Sequence, residues 1–125
     1  MATSHAMPTF DTAQELLQPG ETGLFVHTDG RHFTVNADGS GSTGFWVISP
    51  TREVDRVVVV REELRGGQRF VELFTARRDG VIGPEDGRYT VRLLDVQLAG
   101  STNRTWKEFA DAGQNPVRYI SRPVA

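Results

Sequence analysis

Val54-Asp55-Arg56-Val57-Val58-Val59-Val60-Arg61-Glu62 is the stretch that decides the fold. Successive side chains of a strand point to opposite faces, so four consecutive β-branched residues place apolar surface on both sides. Such a run belongs inside a sheet, with a packed layer on each face. Its partner follows at once. Glu63-Leu64-Arg65-Gly66-Gly67-Gln68 leads into Arg69-Phe70-Val71-Glu72-Leu73-Phe74-Thr75-Ala76-Arg77-Arg78. A Gly-Gly pair supplies the positive φ of a two-residue hairpin turn. With Gly66-Gly67 as that turn, Val60 faces Leu73, Val59 faces Phe74, Arg61 faces Glu72 and Asp55 faces Arg78. Apolar pairs fall in the middle and opposite charges at the ends, as cross-strand pairing favours. A one-residue slip loses both charge pairs.

Upstream, residues 1–8 carry no pattern for ordered structure and are expected to be disordered, leaving a single β-rich domain over 9–125. Thr12 with Glu15 matches a capping box for a short helix, whose apolar face is Phe10, Ala13, Leu16 and Leu17, stopped by Pro19-Gly20. Then Leu24-Phe25-Val26-His27-Thr28 and Arg31-His32-Phe33-Thr34-Val35 flank Asp29-Gly30, a strong hairpin signal. In that register Val26 pairs with Phe33, Leu24 with Val35, and His27 lies across from His32. Asn36–Gly44 reads as a flexible Gly/Ser loop and Phe45–Ser49 as a strand ended by Pro50.

Downstream, Asp79–Gly87 reads as a turn-rich connection, and Arg88–Leu98 as the longest strand. Its apolar set switches phase between Tyr89, Val91, Leu93 and Leu94, Val96, Leu98, which predicts a β-bulge that curls the sheet. Thr105 and Glu108 form a second capping box, opening a helix from Trp106 to about Ala112 with Gly113 as its stop. Trp106, Phe109 and Ala110 share one face, and Val117–Ile120 is the last strand. The expected fold is mainly β: a small curled antiparallel sheet or partly open β-barrel with one short N-terminal and one short C-terminal helix. The α+β label applies if those helices run longer.

Composition narrows the function classes. No cysteine is present, which excludes disulfides, zinc–cysteine sites and thiol catalysis. No stretch approaches the ~20 apolar residues of a membrane span, and Met1–Pro8 lacks a charged-then-apolar signal pattern, so a cytoplasmic location without membrane contact is expected. The formal net charge of −2 creates no global attraction to nucleic acid. The basic side is skewed, however: Lys107 is the only lysine among 14 basic residues. Arginine suits bidentate phosphate and carboxylate recognition, though codon usage and ordinary surface ion pairing account for the same skew.

Four groups of residues invite a functional reading. His27 and His32, facing each other, would need a third ligand to hold a metal, and no nearby spacing supplies one; metal binding is disfavoured and no cofactor is expected. Gly39–Gly44 lacks the Gly-Lys-Ser/Thr ending of a phosphate loop and opens no helix. Arg65 and Arg69 sit at a hairpin tip and Arg77-Arg78 at its far end, where arginines on a ribbon can track phosphates, although Glu62, Glu63 and Glu72 lie among them. Trp106, beside Arg104 and Lys107, is either core or the rim of an aromatic and basic surface. No nucleophile elbow and no carboxylate cluster with metal spacing assembles, which weighs against an enzyme.

The expectation is therefore a non-catalytic binding module whose ligand is nucleic acid or a nucleic-acid-processing complex. Arg65, Arg69, Arg77, Arg78, Arg104 and Trp106 are its contact residues. Two alternatives stay open. One is a protein-interaction or inhibitor module of phage or bacterial origin, acting through a strand edge or the Phe25 face. The other is a small enzyme whose residues converge only in the fold.

Overall fold

The computed structural model describes residues 7–111 and 113–124. Its order is a 3-10 turn (Ala13–Leu16), β1 (Thr22–Thr28), β2 (Phe33–Val35), β3 (Gly41–Trp46), β4 (Arg56–Arg65), β5 (Gln68–Glu85), β6 (Arg88–Gly100), α1 (Trp106–Ala110) and β7 (Val117–Ser121). The strands form one seven-stranded sheet in the order β2-β3-β6-β5-β4-β1-β7. The protein is mainly β and the sheet does not close. The order also makes the sheet mixed, because β1 pairs with β4 in parallel.

The valine run of β4 sits where its composition requires. Val58 and Val60 join Phe25, Val71, Leu73, Trp106 and Phe109 on one face, beneath α1 and the 3-10 turn. Val57 and Val59 join Leu24, Val26, Trp46, Val91 and Leu93 on the other. Each valine is at most 1% exposed. The second cluster draws Trp46 from near one end of the sheet and Leu24 and Val117 from the other, so the sheet curls around it. The β4–β5 hairpin has the predicted register, with Val59 opposite Phe74, Val60 opposite Leu73 and Arg61 opposite Glu72, around Gly66-Gly67 at φ 57° and 81°. The pair expected at its base does not form. The Asp55 carboxylate accepts from the Thr22 amide (2.8 Å), and Arg78 donates to the Arg52 carbonyl (2.8 Å).

The largest departure from the sequence-based expectation concerns β1. It does not fold back on β2 at Asp29-Gly30. It lies between β4 and β7, with Val26 opposite both Val59 and Val117, while β2 pairs with β3 at the far edge. Parallel neighbours cannot be joined by a tight turn and need a long connection. Here that connection carries β2 and β3, so His27 and His32 are not cross-strand partners.

Smaller corrections follow. The strand expected at Phe45–Ser49 is β3, Gly41–Trp46, so the last four residues of the presumed flexible loop, Gly41–Gly44, are ordered ladder. Gly41 is required there, because a Cβ would overlap the Thr34 carbonyl oxygen. Asp79–Glu85 continues β5, the longest strand, and turns at Asp86-Gly87 (φ 52° and 76°). The phase switch in β6 is a bulge: β5 advances two residues from Thr75 to Arg77 while β6 spans three from Leu94 to Gln97, with Asp95 at φ 52°.

The N-terminal helix is a single 3-10 turn whose Glu15 carboxylate accepts from the Asp11 and Thr12 amides (2.7 and 3.0 Å). In α1, Thr105 and Glu108 form the expected capping box, and Asp111, in left-handed conformation, ends the helix before Gly113. Of the segment 1–8 expected to be disordered, residues 1–6 lie outside the described residues, as does Ala112. The Pro8 carbonyl accepts from the Ser101 amide (2.8 Å).

Val59→Asp is expected to abolish the cooperative thermal transition. A carboxylate between two packed layers finds neither water nor a partner, and the loss rivals the whole stability of a domain. Circular dichroism on heating checks this.

Candidate functional site

Strand alternation carries the helix-bearing face of the sheet beyond its apolar patch. Two residues after Phe25 on β1 comes His27; two after Val60 on β4 comes Glu62; two before Val71 on β5 comes Arg69. The parallel β1–β4 and antiparallel β4–β5 pairings bring these three side chains together. His27 Nε2 lies 3.0 Å from Glu62 Oε1, and Arg69 Nε donates to Glu62 Oε2 at 2.9 Å. The His27 ring stacks on Trp106, 5.2 Å between centroids and 7° from parallel. Trp106 is itself 7% exposed and donates its indole N–H to the Asn115 carbonyl (2.8 Å).

Partial burial pushes the Glu62 carboxyl up. The hydrogen bonds and charges of Arg69 and His27 outweigh that and hold it below the ordinary 4.5. Glu62 is therefore an ionised anchor between two donors. Arg69 also donates to the Arg104 carbonyl, which ties the β5 end of the network to the loop before α1.

His27 and Glu62 form one wall of a cleft of about 690 Å³. The segment Thr28–His32, residues Gly44–Trp46 of β3 and the end of β4 at Glu63 and Leu64 contribute to its lining. The lining includes two exposed apolar side chains, Phe45 (38%) and Leu64 (72%). The His32 ring packs against Phe45, 4.6 Å between centroids. The two histidines thus line one cleft, although by a route other than the expected hairpin. Among the described residues no group of three or more His, Cys, Asp or Glu side chains is placed to hold a metal ion.

The cationic residues singled out in the sequence are divided among several places. Arg65 bonds Glu63 and lies over the Phe70 ring (4.8 Å). Arg65 and Arg69 share a hollow of about 390 Å³ with Phe70 and Ser101–Asn103. Arg77 pairs with Asp95 at the bulge (2.7 Å), Arg78 holds the Arg52 carbonyl, and Arg104 lies 3.7 Å from Asp11. Trp106 is in the core. Sequence reading missed the Arg69–Glu62–His27–Trp106 assembly, because it took β1 as the hairpin partner of β2 and so did not place His27 beside β4. No family model matches this chain, and neither a curated protein nor a solved structure resembles it significantly.

Two expectations follow. A carboxyl whose folded pKa is depressed adds stability above its unfolded pKa and loses it as pH falls through the folded one. The stability difference between wild type and Glu62→Gln should therefore be full at neutral pH and shrink below about pH 4.5, as denaturant melts across pH can measure. Trp106→Ala should cost about 3–5 kcal/mol, since the indole closes the cluster beneath α1. In a Trp46→Phe background, iodide should quench native Trp106 fluorescence poorly.

Proposed function

We propose that this chain is a non-catalytic binding module that takes a segment of a partner protein into the cleft between His27, Phe45 and Leu64. The supporting observation is that two exposed apolar side chains, Phe45 and Leu64, line one concave surface. Apolar residues exposed singly are ordinary, but apolar walls around a cavity of several hundred Å³ are what ligand sites present. The arginines considered for phosphate contact are each held by a carboxylate or a carbonyl of the chain itself. A phosphate would have to displace those partners, so a protein ligand is favoured over nucleic acid.

Selection from a random-peptide display library tests the proposal. Selected peptides should carry an apolar or aromatic anchor. Leu64→Asp and Phe45→Ser should each weaken them roughly tenfold or more, about 1.4 kcal/mol per decade, with little change in melting temperature. Titration with single- and double-stranded DNA and RNA at low salt is the counter-test. Saturable binding with a steep salt slope, unaffected by either substitution, would replace this reading with the nucleic-acid one.

A further inference from the structure

β4 outruns its neighbour. The parallel β1–β4 ladder ends at Thr28 opposite Arg61, while β4 continues through Glu62-Glu63-Leu64-Arg65 against β5 alone. Beyond Thr28 the chain turns out of line, held by the Thr28 hydroxyl, which accepts from the Gly30 amide (3.1 Å) and donates to the Arg31 carbonyl (3.3 Å). Gly30 then lies against the Arg61 side chain, on the face of Val57 and Val59. Which main-chain groups this leaves open follows from alternation along the strands. The His27 amide donates to the Pro116 carbonyl (2.8 Å), so the odd residues of β1 bond β7 and the even ones bond β4. In the parallel ladder the partners of those even residues are Val58, Val60 and Glu62. On the opposite edge of β4, the two-residue turn pairs Arg65 with Gln68 and Glu63 with Phe70, so these residues spend their main-chain groups on β5. The Glu62 carbonyl and both main-chain groups of Leu64 therefore point to where β1 would continue. None of the three has a hydrogen-bond partner among the described residues.

That row opens into the cleft, whose lining takes Glu62 and Leu64 from one face of β4 and Glu63 from the other, as a slot in the plane of the sheet does. The other open edges of the sheet are blunted. β2 has three residues, and the tail of β5 beyond Ala76 carries Pro84. On β7 the outward Val117 amide is taken by Asn115 Oδ1 and the Ser121 carbonyl by Gln14 Nε2, both at 3.0 Å. The β4 row has no such protection among the described residues: it faces a concave surface on which Leu64 and Phe45 are exposed. We infer that the partner segment enters the cleft as an extended strand that continues the place of β1, pairing with β4 through the Glu62 carbonyl and the N–H and C=O of Leu64. The inference rests on the cleft being the binding site and states how the segment is held there. A strand in either direction can use the three groups, and four residues of free edge match about 13 Å of strand. Strand addition of this kind draws affinity from the main chain and specificity from alternate side chains.

The test uses the full chain and the peptides selected on it. Backbone N-methylation, placed at each peptide position in turn, removes one N–H at a time. It should weaken binding roughly tenfold or more at two positions two residues apart, which donate to the Glu62 and Leu64 carbonyls, and not at the position between them. Exchange of the Leu64 amide, fast in the free chain, should slow roughly tenfold or more in the complex. Leu64→Ala trims the apolar anchor and keeps the N–H, whereas Leu64→Pro keeps apolar bulk and removes it. That N–H bonds nothing in the ladder, so both variants should fold, and the proline variant should bind the more weakly. Tolerance of N-methylation at every position, with the Leu64 amide exchanging as fast in the complex as without it, refutes strand pairing and leaves the cleft as a site for side chains. Protection of the Leu64 amide without peptide, rising with protein concentration, would give the slot to a second copy of the chain and overturn the inference. Peptides indifferent to both Phe45→Ser and Leu64→Asp would remove the cleft reading itself, and strand addition with it.

Discussion

Double-sided burial of Val57–Val60 is the constraint on which the rest of the molecule depends. A strand with apolar side chains on alternate faces needs two cores, and each must be assembled from a different part of the chain. On one face α1 and the 3-10 turn supply the cover, with Trp106, Phe109, Leu16 and Leu17. On the other, no helix among the described residues contributes, and the sheet supplies its own cover: Trp46 of β3 joins Leu24, Val26 and Val117 in one buried cluster. The curl is a consequence of that shortage. The bulge at Asp95 makes it geometrically feasible by adding one residue to β6 against β5.

The parts of this arrangement legible in the sequence are those in which local and long-range demands coincide. The β4–β5 register follows from Gly66-Gly67 together with complementary pairs on either side, so turn chemistry and packing give one answer. At Asp29-Gly30 they conflict. The dipeptide favours a hairpin, yet Leu24-Phe25-Val26 is a continuous apolar run of the same kind as the valines, and all three residues are buried. A continuous run asks for neighbours on both edges and cover on both faces, which three-residue β2 cannot provide. Packing overrode the turn. The signal was present in Phe25, which a strand with one mixed face has no reason to carry.

The site was less legible than the fold for the same reason. His27, Glu62, Arg69 and Trp106 come from β1, β4, β5 and α1, and only the parallel β1–β4 ladder places His27 beside the β4–β5 hairpin. No spacing rule connects them. What sequence did reveal was chemistry without address: an arginine-rich, glutamate-rich hairpin whose charges nearly cancel. In the structure the cancellation is specific. Glu62 takes Arg69, Glu63 takes Arg61 and Arg65, and Glu72 takes Arg61. Half-buried carboxylates of this kind need partners, and the arginines supply them.

That division of labour links the site to folding. The cleft wall exists only when β1 has docked in parallel against β4, a contact of large sequence separation whose loop-closure entropy must be met before any packing is gained. Glu62 and Glu63 are adjacent on the local hairpin, but His27 and Phe45 reach them only after the whole connection through β2 and β3 is in place. A ligand spanning these walls therefore has little affinity for a chain in which only the hairpin has formed. Any binding free energy there would act on the same closure that buries Leu24 and Val26 against Val57 and Val59, a pairing of residues 33 apart in sequence.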